Sequence, residues 1–327
     1  MGGVVLSFTS FDFAKAGRSG RMEQVARRAF APMNRSARIL LVACLLGVFW
    51  ITPVAAQSNI PCSGCAEWNK AQPSFRIFGN TYYVGTHGLS SVLITSPGGH
   101  VLIDGDLPES APLIANNIRS LGFRLQDVKL IVNSHVHFDH AGGIAELQRR
   151  TAARVVASGW SAGVLKTGKV ARDDPQFGII RAIAPVKNVS TFREGVAIRV
   201  GDIAITPHLT PGHTPGGTTW TWKSCDGSEC RDLVYADSVS PVSADGYRFS
   251  DHPNTIEDFR KSFAFFENVP CDILITAHPE ASELWDRLAQ REKGMKPDPM
   301  LDTGACRTYA ANGRERLQQR LATEGKR

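Results

Sequence analysis

The segment Asn133-Ser134-His135-Val136-His137-Phe138-Asp139-His140 places four side chains able to ligate a metal within six positions. It follows the apolar run 128–132, which reads as a buried strand, and precedes 141–150, which reads as a helix. In extended chain, residues two apart point to the same side, so His135 and His137 can share one ion. Asp139 and His140, entering the helix, turn toward an adjacent ion. Two isolated histidines complete the count. His213 lies in the Pro/Gly-rich stretch 210–217, and His278 follows the apolar run 272–277 and precedes Pro279. Both stand at strand ends, as the cluster does. His87, His100, His208 and His252 lack such neighbours and are read as structural or surface residues. Imidazole and carboxylate ligands suit zinc, and two zincs about 3.5 to 4 Å apart can share a hydroxide. Zinc brings the pKa of bound water to about 7, which gives a nucleophile at neutral pH without a serine.

The elements that must position these groups follow from patterning. Short β-rich runs at 75–78, 82–86, 91–95 and 100–103, separated by Gly and Pro turns, predict a meander of four strands. A helix is predicted over 109–121, with Pro112 in its first turn and Gly122 as its stop, and strands at 128–132 and 154–157. The second half repeats the plan in outline, with strands at 196–200, 203–206, 218–223 and 232–235 and a helix over 256–266. There Thr255 with Asp258 resembles a capping box, and Ile256, Phe259, Phe263 and Phe266 make one apolar stripe, read as core. A strand at 272–276 and helices at 282–291 and 313–322 end the chain. Strand groups alternating with helices in two similar halves predict an α/β fold of two packed sheets with helices outside, a four-layer αββα sandwich.

Residues 1–56 differ in character from residues 57–327, which read as one catalytic domain. A basic stretch ending at Arg35 and Arg38 runs into the apolar block 39–51, followed by Val54-Ala55-Ala56, the layout of a secretory signal cleaved after Ala56. The block is too short for a spanning helix. Met33 would begin a signal of ordinary length, and Leu41-Val42-Ala43-Cys44 has the look of a lipoprotein box, but the apolar block continues past Cys44, which argues against acylation there. The leader holds seven Lys/Arg against two Asp/Glu, five of the chain's six net positive charges. The remainder is near +1, so neither a nucleic acid nor a membrane surface is an expected partner. Export implies an oxidising compartment, the periplasm, where the six cysteines beyond Cys44 are expected as disulfides. Cys225 and Cys230 flank the turn Asp226-Gly227-Ser228-Glu229 and should pair. A Cys271–Cys306 bond would close a loop of about 36 residues, worth roughly 3 to 4 kcal/mol. Cys62 and Cys65 are left with each other.

With H-x-H-x-D-H, a later lone His and a final strand-end His in order, the chain resembles the metallo-β-lactamase superfamily over 75–309. Tyr235-Ala236-Asp237-Ser238-Val239-Ser240, Pro270-Cys271-Asp272 and Ala277-His278-Pro279 resemble class B β-lactamases of the third subclass, in which no cysteine ligates zinc. The resemblance implies two Zn²⁺ per chain, the first held by His135, His137 and His213, the second by Asp139, His140 and His278. It implies a small-molecule β-lactam substrate, whose amide the shared hydroxide attacks with Asp139 both ligating and orienting it. It assigns Ser238 and Ser240 to the substrate carboxylate and puts the family's disulfide on Cys271 and Cys306. Trp68 and the segment 177–180 are candidates for an apolar rim, or for ordinary packing.

Two other readings stand beside this one. A lactonase or glyoxalase II-like thioesterase on the same scaffold would set an aspartate between the metals late in the chain, a place Asp237 could take. A non-catalytic zinc-binding protein would need four protein ligands per ion, whereas three per zinc can be named.

Overall fold

Runs of β-branched and aromatic residues punctuated by Gly, Pro and Asn turns form strands in the computed structural model, which describes residues 60–325. After a short helix α1 (Cys65–Trp68), strands β1 (Phe75–Phe78), β2 (Thr81–Tyr83), β3 (Val92–Ile94) and β4 (His100–Ile103) make an antiparallel meander. Helix α2 (Ala111–Ser120) leads to β5 (Val128–Val132). Helices α3 (Phe138–Ala141) and α4 (Ile144–Thr151), strand β6 (Arg154–Ala157), helix α5 (Gly159–Thr167) and strand β7 (Val189–Thr191) follow. Strands β4 to β7 pair in parallel, which completes a seven-stranded sheet in the order β1 to β7. The second sheet holds β8 (Ile198–Val200), β9 (Ile203–Leu209), β10 (Thr218–Asp226) and β11 (Glu229–Ala236), all antiparallel. Helix α6 (Pro253–Asn268) then returns the chain so that β12 (Ile273–Thr276) pairs in parallel with β11. Helices α7 (Leu284–Glu292) and α8 (Ala305–Glu324) finish the chain.

Alternation along the strands sorts the apolar residues into three packed layers. Val92, Ile94, Val101, Ile103, Leu130 and Val132 of one sheet meet Ile205, Trp220, Trp222, Leu233, Tyr235 and Ile275 of the other. The intervening Leu93, Leu102, Ile131 and Val155 face outward onto Ile114, Ile118, Ile144 and Leu147 of α2 and α4. Val234, Ala236 and Leu274 likewise face Phe259, Phe263, Phe266, Tyr309 and Leu317 of α6 and α8. Helix, sheet, sheet and helix thus form the four layers expected, and the stripe on α6 is core.

Some boundaries differ from expectation. Helix α6 starts at Pro253, whose fixed φ suits the first helical position, with His252 as N-cap and no side-chain cap. The capping box expected from Thr255 and Asp258 therefore does not form; the Thr255 hydroxyl meets the Tyr247 hydroxyl at 3.2 Å and Asp258 pairs with Lys261. Helix α8 begins eight residues before the expected start, and Gly313 lies inside it because an added Cβ would strike Val239 and Phe263. Cysteine pairs 62–65, 225–230 and 271–306 are bonded, Cys225 and Cys230 being direct cross-strand partners. The leader expected at 1–56, with Met33, Cys44 and the cleavage point at Ala56, lies outside the described residues. Among those described, no helix is long and apolar enough to cross a membrane.

Candidate metal centre

The strand ends of both sheets converge on one cluster. Past β5 the chain is gripped by Asp104, at the end of β4, whose carboxylate accepts from Asn133 Nδ2, Ser134 N, Ser134 Oγ and Tyr235 OH at 2.6 to 3.0 Å. Burial raises this carboxyl to about 7 although all four donors oppose the rise. Ser134 O also accepts from Thr218 N at the start of β10. This clasp fixes the departure angle of the segment carrying His135 and His137, after which α3 presents Asp139 and His140. His213 enters from the loop between β9 and β10, and His278 from the end of β12. One ligand atom from each of His135, His137 and His213 lies within 4.8 Å of the other two, and so do those of Asp139, His140 and His278. The two groups adjoin, with the His135 and His140 ring centroids 4.3 Å apart.

Hydrogen bonds select which imidazole nitrogen faces the cluster. His135 Nδ1 donates to Asp237 Oδ1 at 2.7 Å, which leaves Nε2, buried and without a partner, on the cluster side. His213 Nδ1 donates to the Ser240 carbonyl at 2.8 Å and likewise leaves Nε2. His137 is turned the other way: its Nε2 donates to Asp174 Oδ2 at 3.0 Å, which leaves Nδ1. His278 Nδ1 donates to the Gly88 carbonyl at 3.2 Å, while Asp139 Oδ2 stands 3.4 Å from Nε2 of both His278 and His140. Gly88 owes its identity to this corner, since a Cβ there would fall 2.6 Å from the Trp68 Cα.

The electrostatics suit a cation. Burial, reinforced by neighbouring imidazoles, drives His135 far below the ordinary range, His140 to about 3 and His213 to about 4. Their nitrogens therefore keep free lone pairs at neutral pH. Burial would raise Asp139, but His140 and His278 beside it hold its carboxylate below the usual range. Six converging imidazole and carboxylate donors, among them the partnerless buried Nε2 of His135, fit a pair of borderline-soft dications.

Of the other sequence candidates, Ser238 and Ser240 are half-buried beside this cluster, Ser240 through the carbonyl that holds His213. Trp68 packs edge-on to His278 at 5.3 Å. The expected rim splits: Phe177 and Ile179 are 43% and 45% exposed, whereas Ile180 is core. Asp237 sits behind His135, with its second oxygen against Gly217, where a Cβ would come within van der Waals overlap. His87 stacks on Trp285, His100 packs on Phe123, His208 bonds Thr221 and His252 stacks on Tyr247, all away from the cluster. Sequence reasoning did not single out Asp174 or Gln176. The only local signal is Asp173-Asp174-Pro175-Gln176, a polar turn whose approach to His137 depends on a long loop.

Comparison with known proteins agrees with this geometry. The profile of the Metallo-beta-lactamase superfamily matches residues 84–299. The solved structure of the Rm3 metallo-beta-lactamase is 55% identical, with a TM-score of 0.79, covering 81% of this chain and 99% of that one. MEM-A1, a subclass B3 metallo-beta-lactamase isolated from a soil metagenome library, is 48% identical with a TM-score of 0.77, covering 79% and 99%. Among curated proteins, a hydroxyacylglutathione hydrolase of Rhodopseudomonas palustris (strain BisB5) is 33% identical over 122 residues, 37% of this chain and 38% of that protein. The N-acyl homoserine lactonase AttM of Rhizobium radiobacter is 29% identical over 153 residues, 38% of this chain and 55% of its own. The chain spans between about four tenths and just over half of these curated relatives' length.

Proposed function

The chain belongs to the metallo-beta-lactamase superfamily, and from that premise we propose that it is a zinc-dependent β-lactamase of subclass B3, exported to the periplasm. The observation that carries the reading is the pair of adjoining three-ligand groups on a scaffold that relatives bearing this activity share over nearly their whole length. In this reading His135, His137 and His213 hold one Zn²⁺ and Asp139, His140 and His278 a second. Bound zinc would supply a Lewis acid for the lactam carbonyl and a water acidic enough to ionise near neutral pH. Three protein ligands per ion leave room for water and substrate, against a closed storage site. The Asp139 carboxylate, 3.4 Å from Nε2 of both His140 and His278, would ligate the second ion and orient the attacking water. Ser238 and Ser240 would receive the substrate carboxylate, and Phe177 and Ile179 would line the apolar side.

The curated relatives named as a hydroxyacylglutathione hydrolase and an N-acyl homoserine lactonase keep the second reading in view. It asks Asp237 to stand between the metals. Here the Asp237 carboxylate meets Nδ1 of His135, the nitrogen turned away from the cluster, which favours the β-lactamase reading. Hydrolysis of a chromogenic cephalosporin alongside zinc content tests both. The zinc-loaded protein should turn the cephalosporin over, lose activity to EDTA, regain it with zinc and ignore a serine-directed inhibitor such as clavulanate. Asp139→Ala should be folded and inactive. Turnover of thioesters or lactones but not of the cephalosporin would sink the reading.

A further inference from the structure

Every histidine of the first group has its outward nitrogen held by an acceptor, but only His137 is held by a side chain from a loop remote from both sheets. We propose that Asp174 is a positioning residue of the metal centre, fixing the tautomer and direction of His137. The inference rests on the zinc reading above. His137 Nε2 donates to Asp174 Oδ2 at 3.0 Å and approaches Oδ1 at 3.3 Å, and the Asp174 side chain is 1% exposed. The carboxylate is itself fixed, since Oδ1 accepts from Gln176 N at 2.8 Å. Pro175 O accepts from Ala244 N at 2.9 Å, which ties this turn to the loop beyond Ser240. Gln176 Nε2 lies 3.5 Å from His137 Nδ1 and from His213 Nε2, so those two nitrogens face the same space.

The consequence is a division of labour on one imidazole. A proton held on Nε2 by a carboxylate leaves the lone pair on Nδ1, the nitrogen on the cluster side. A carboxylate behind a ligating histidine also raises its basicity, and losing such a partner typically costs about 10- to 100-fold in metal affinity. Asp174 and Asp237 thus back two of the first group's three ligands with carboxylates, whereas Gly88 backs His278 with a neutral carbonyl and His140 Nδ1 has no partner.

Asp174→Asn tests this without disturbing the turn. Its amide oxygen can still accept from Gln176 N. Its NH₂, in the place of Oδ2, would donate toward His137 Nε2 and favour the opposite tautomer. Zinc dissociation constants would be measured by competition with a chromophoric chelator on the full protein, with Gln176→Ala as a second variant that keeps the carboxylate. In Asp174→Asn one of two constants should rise by about 10- to 100-fold while the other stays put, with turnover recovering in excess zinc. In Gln176→Ala, which keeps the carboxylate, the constants should move less than in Asp174→Asn. Unchanged constants in Asp174→Asn, an equal rise in both, or the same rise in Gln176→Ala would overturn the proposal. An unaltered protein that takes up no zinc at all would instead bring down the function on which it rests.

Discussion

Ser240 contributes to the centre through its main chain, because the carbonyl and not the hydroxyl holds His213. Truncating the side chain therefore separates substrate binding from metal binding. The double variant Ser238→Ala/Ser240→Ala should keep its zinc and lose selectively on substrates bearing a free carboxylate. Hydrogen bonds to a charged group contribute about 1.5 to 3 kcal/mol, so kcat/KM should fall roughly ten-fold or more per lost bond, less any coupling between them. An esterified substrate should hardly respond; equal losses on acid and ester, or lost zinc, would remove both serines from that role. The six clustered donors were legible in the sequence because four share one short run that follows a strand and enters a helix, and the other two each follow a strand. Asp174, Gln176 and the Gly88 carbonyl were not, because a hydrogen-bond acceptor carries no spacing rule. Only the folded chain brings Asp174 from 37 residues away to His137.

At the scale of elements, legibility tracked periodicity. Strands with alternating apolar residues and the Phe stripe of α6 are legible to within a few residues, whereas α5 and β7 carry no such pattern. Helix α5 contains Gly159 and Gly163, poor helix formers, and rests on its Ser158 cap; β7 is three residues long. Helix α8 shows how an element end is fastened. Glu324, in its last turn, accepts from Phe249 N, Ser250 N and Arg320 Nε at 2.7 to 3.1 Å, which docks the helix on the turn before α6. Burial opposes ionisation of Glu324, but Arg320 and the two amides outweigh it and hold the carboxyl below its ordinary value. A carboxyl lowered on folding stabilises fully above the unfolded pKa, about 4.3, and the contribution fades as pH falls through the folded value. Glu324→Gln should thus cost about 1.5 to 3 kcal/mol at pH 7. The gap should narrow near pH 3, as read by urea unfolding of chelator-treated protein; an equal gap at both pH values would show that the charge is not what fastens the helix.

Over the whole molecule, the metal groups sit at one end of the sheets while the bond between Cys271 and Cys306 ties the outer layer together elsewhere. Cys271 stands just before β12 and Cys306 opens α8, whose Tyr309 donates to the Asp237 carbonyl at 2.9 Å. Seven residues of extended chain, roughly 20 Å, separate Cys271 from His278. The bond should therefore govern stability more than chemistry. Removing it as Cys271→Ser/Cys306→Ser frees a loop of sequence separation 35, a loss of about 4 kcal/mol in the chain-entropy model. The Cys62–Cys65 bond has a separation of 3, for which the same model gives only about 2 kcal/mol. That smaller loop, however, closes on α1, whose Trp68 packs against His278 and whose Trp68 carbonyl accepts from Gly88 N. The two double-serine variants should consequently rank in opposite orders: loss of 271–306 lowers the unfolding midpoint more, and loss of 62–65 lowers kcat/KM more at 25 °C with the protein still folded. Finding the same variant worse on both measures would show that the layer and the site are not separable in this way.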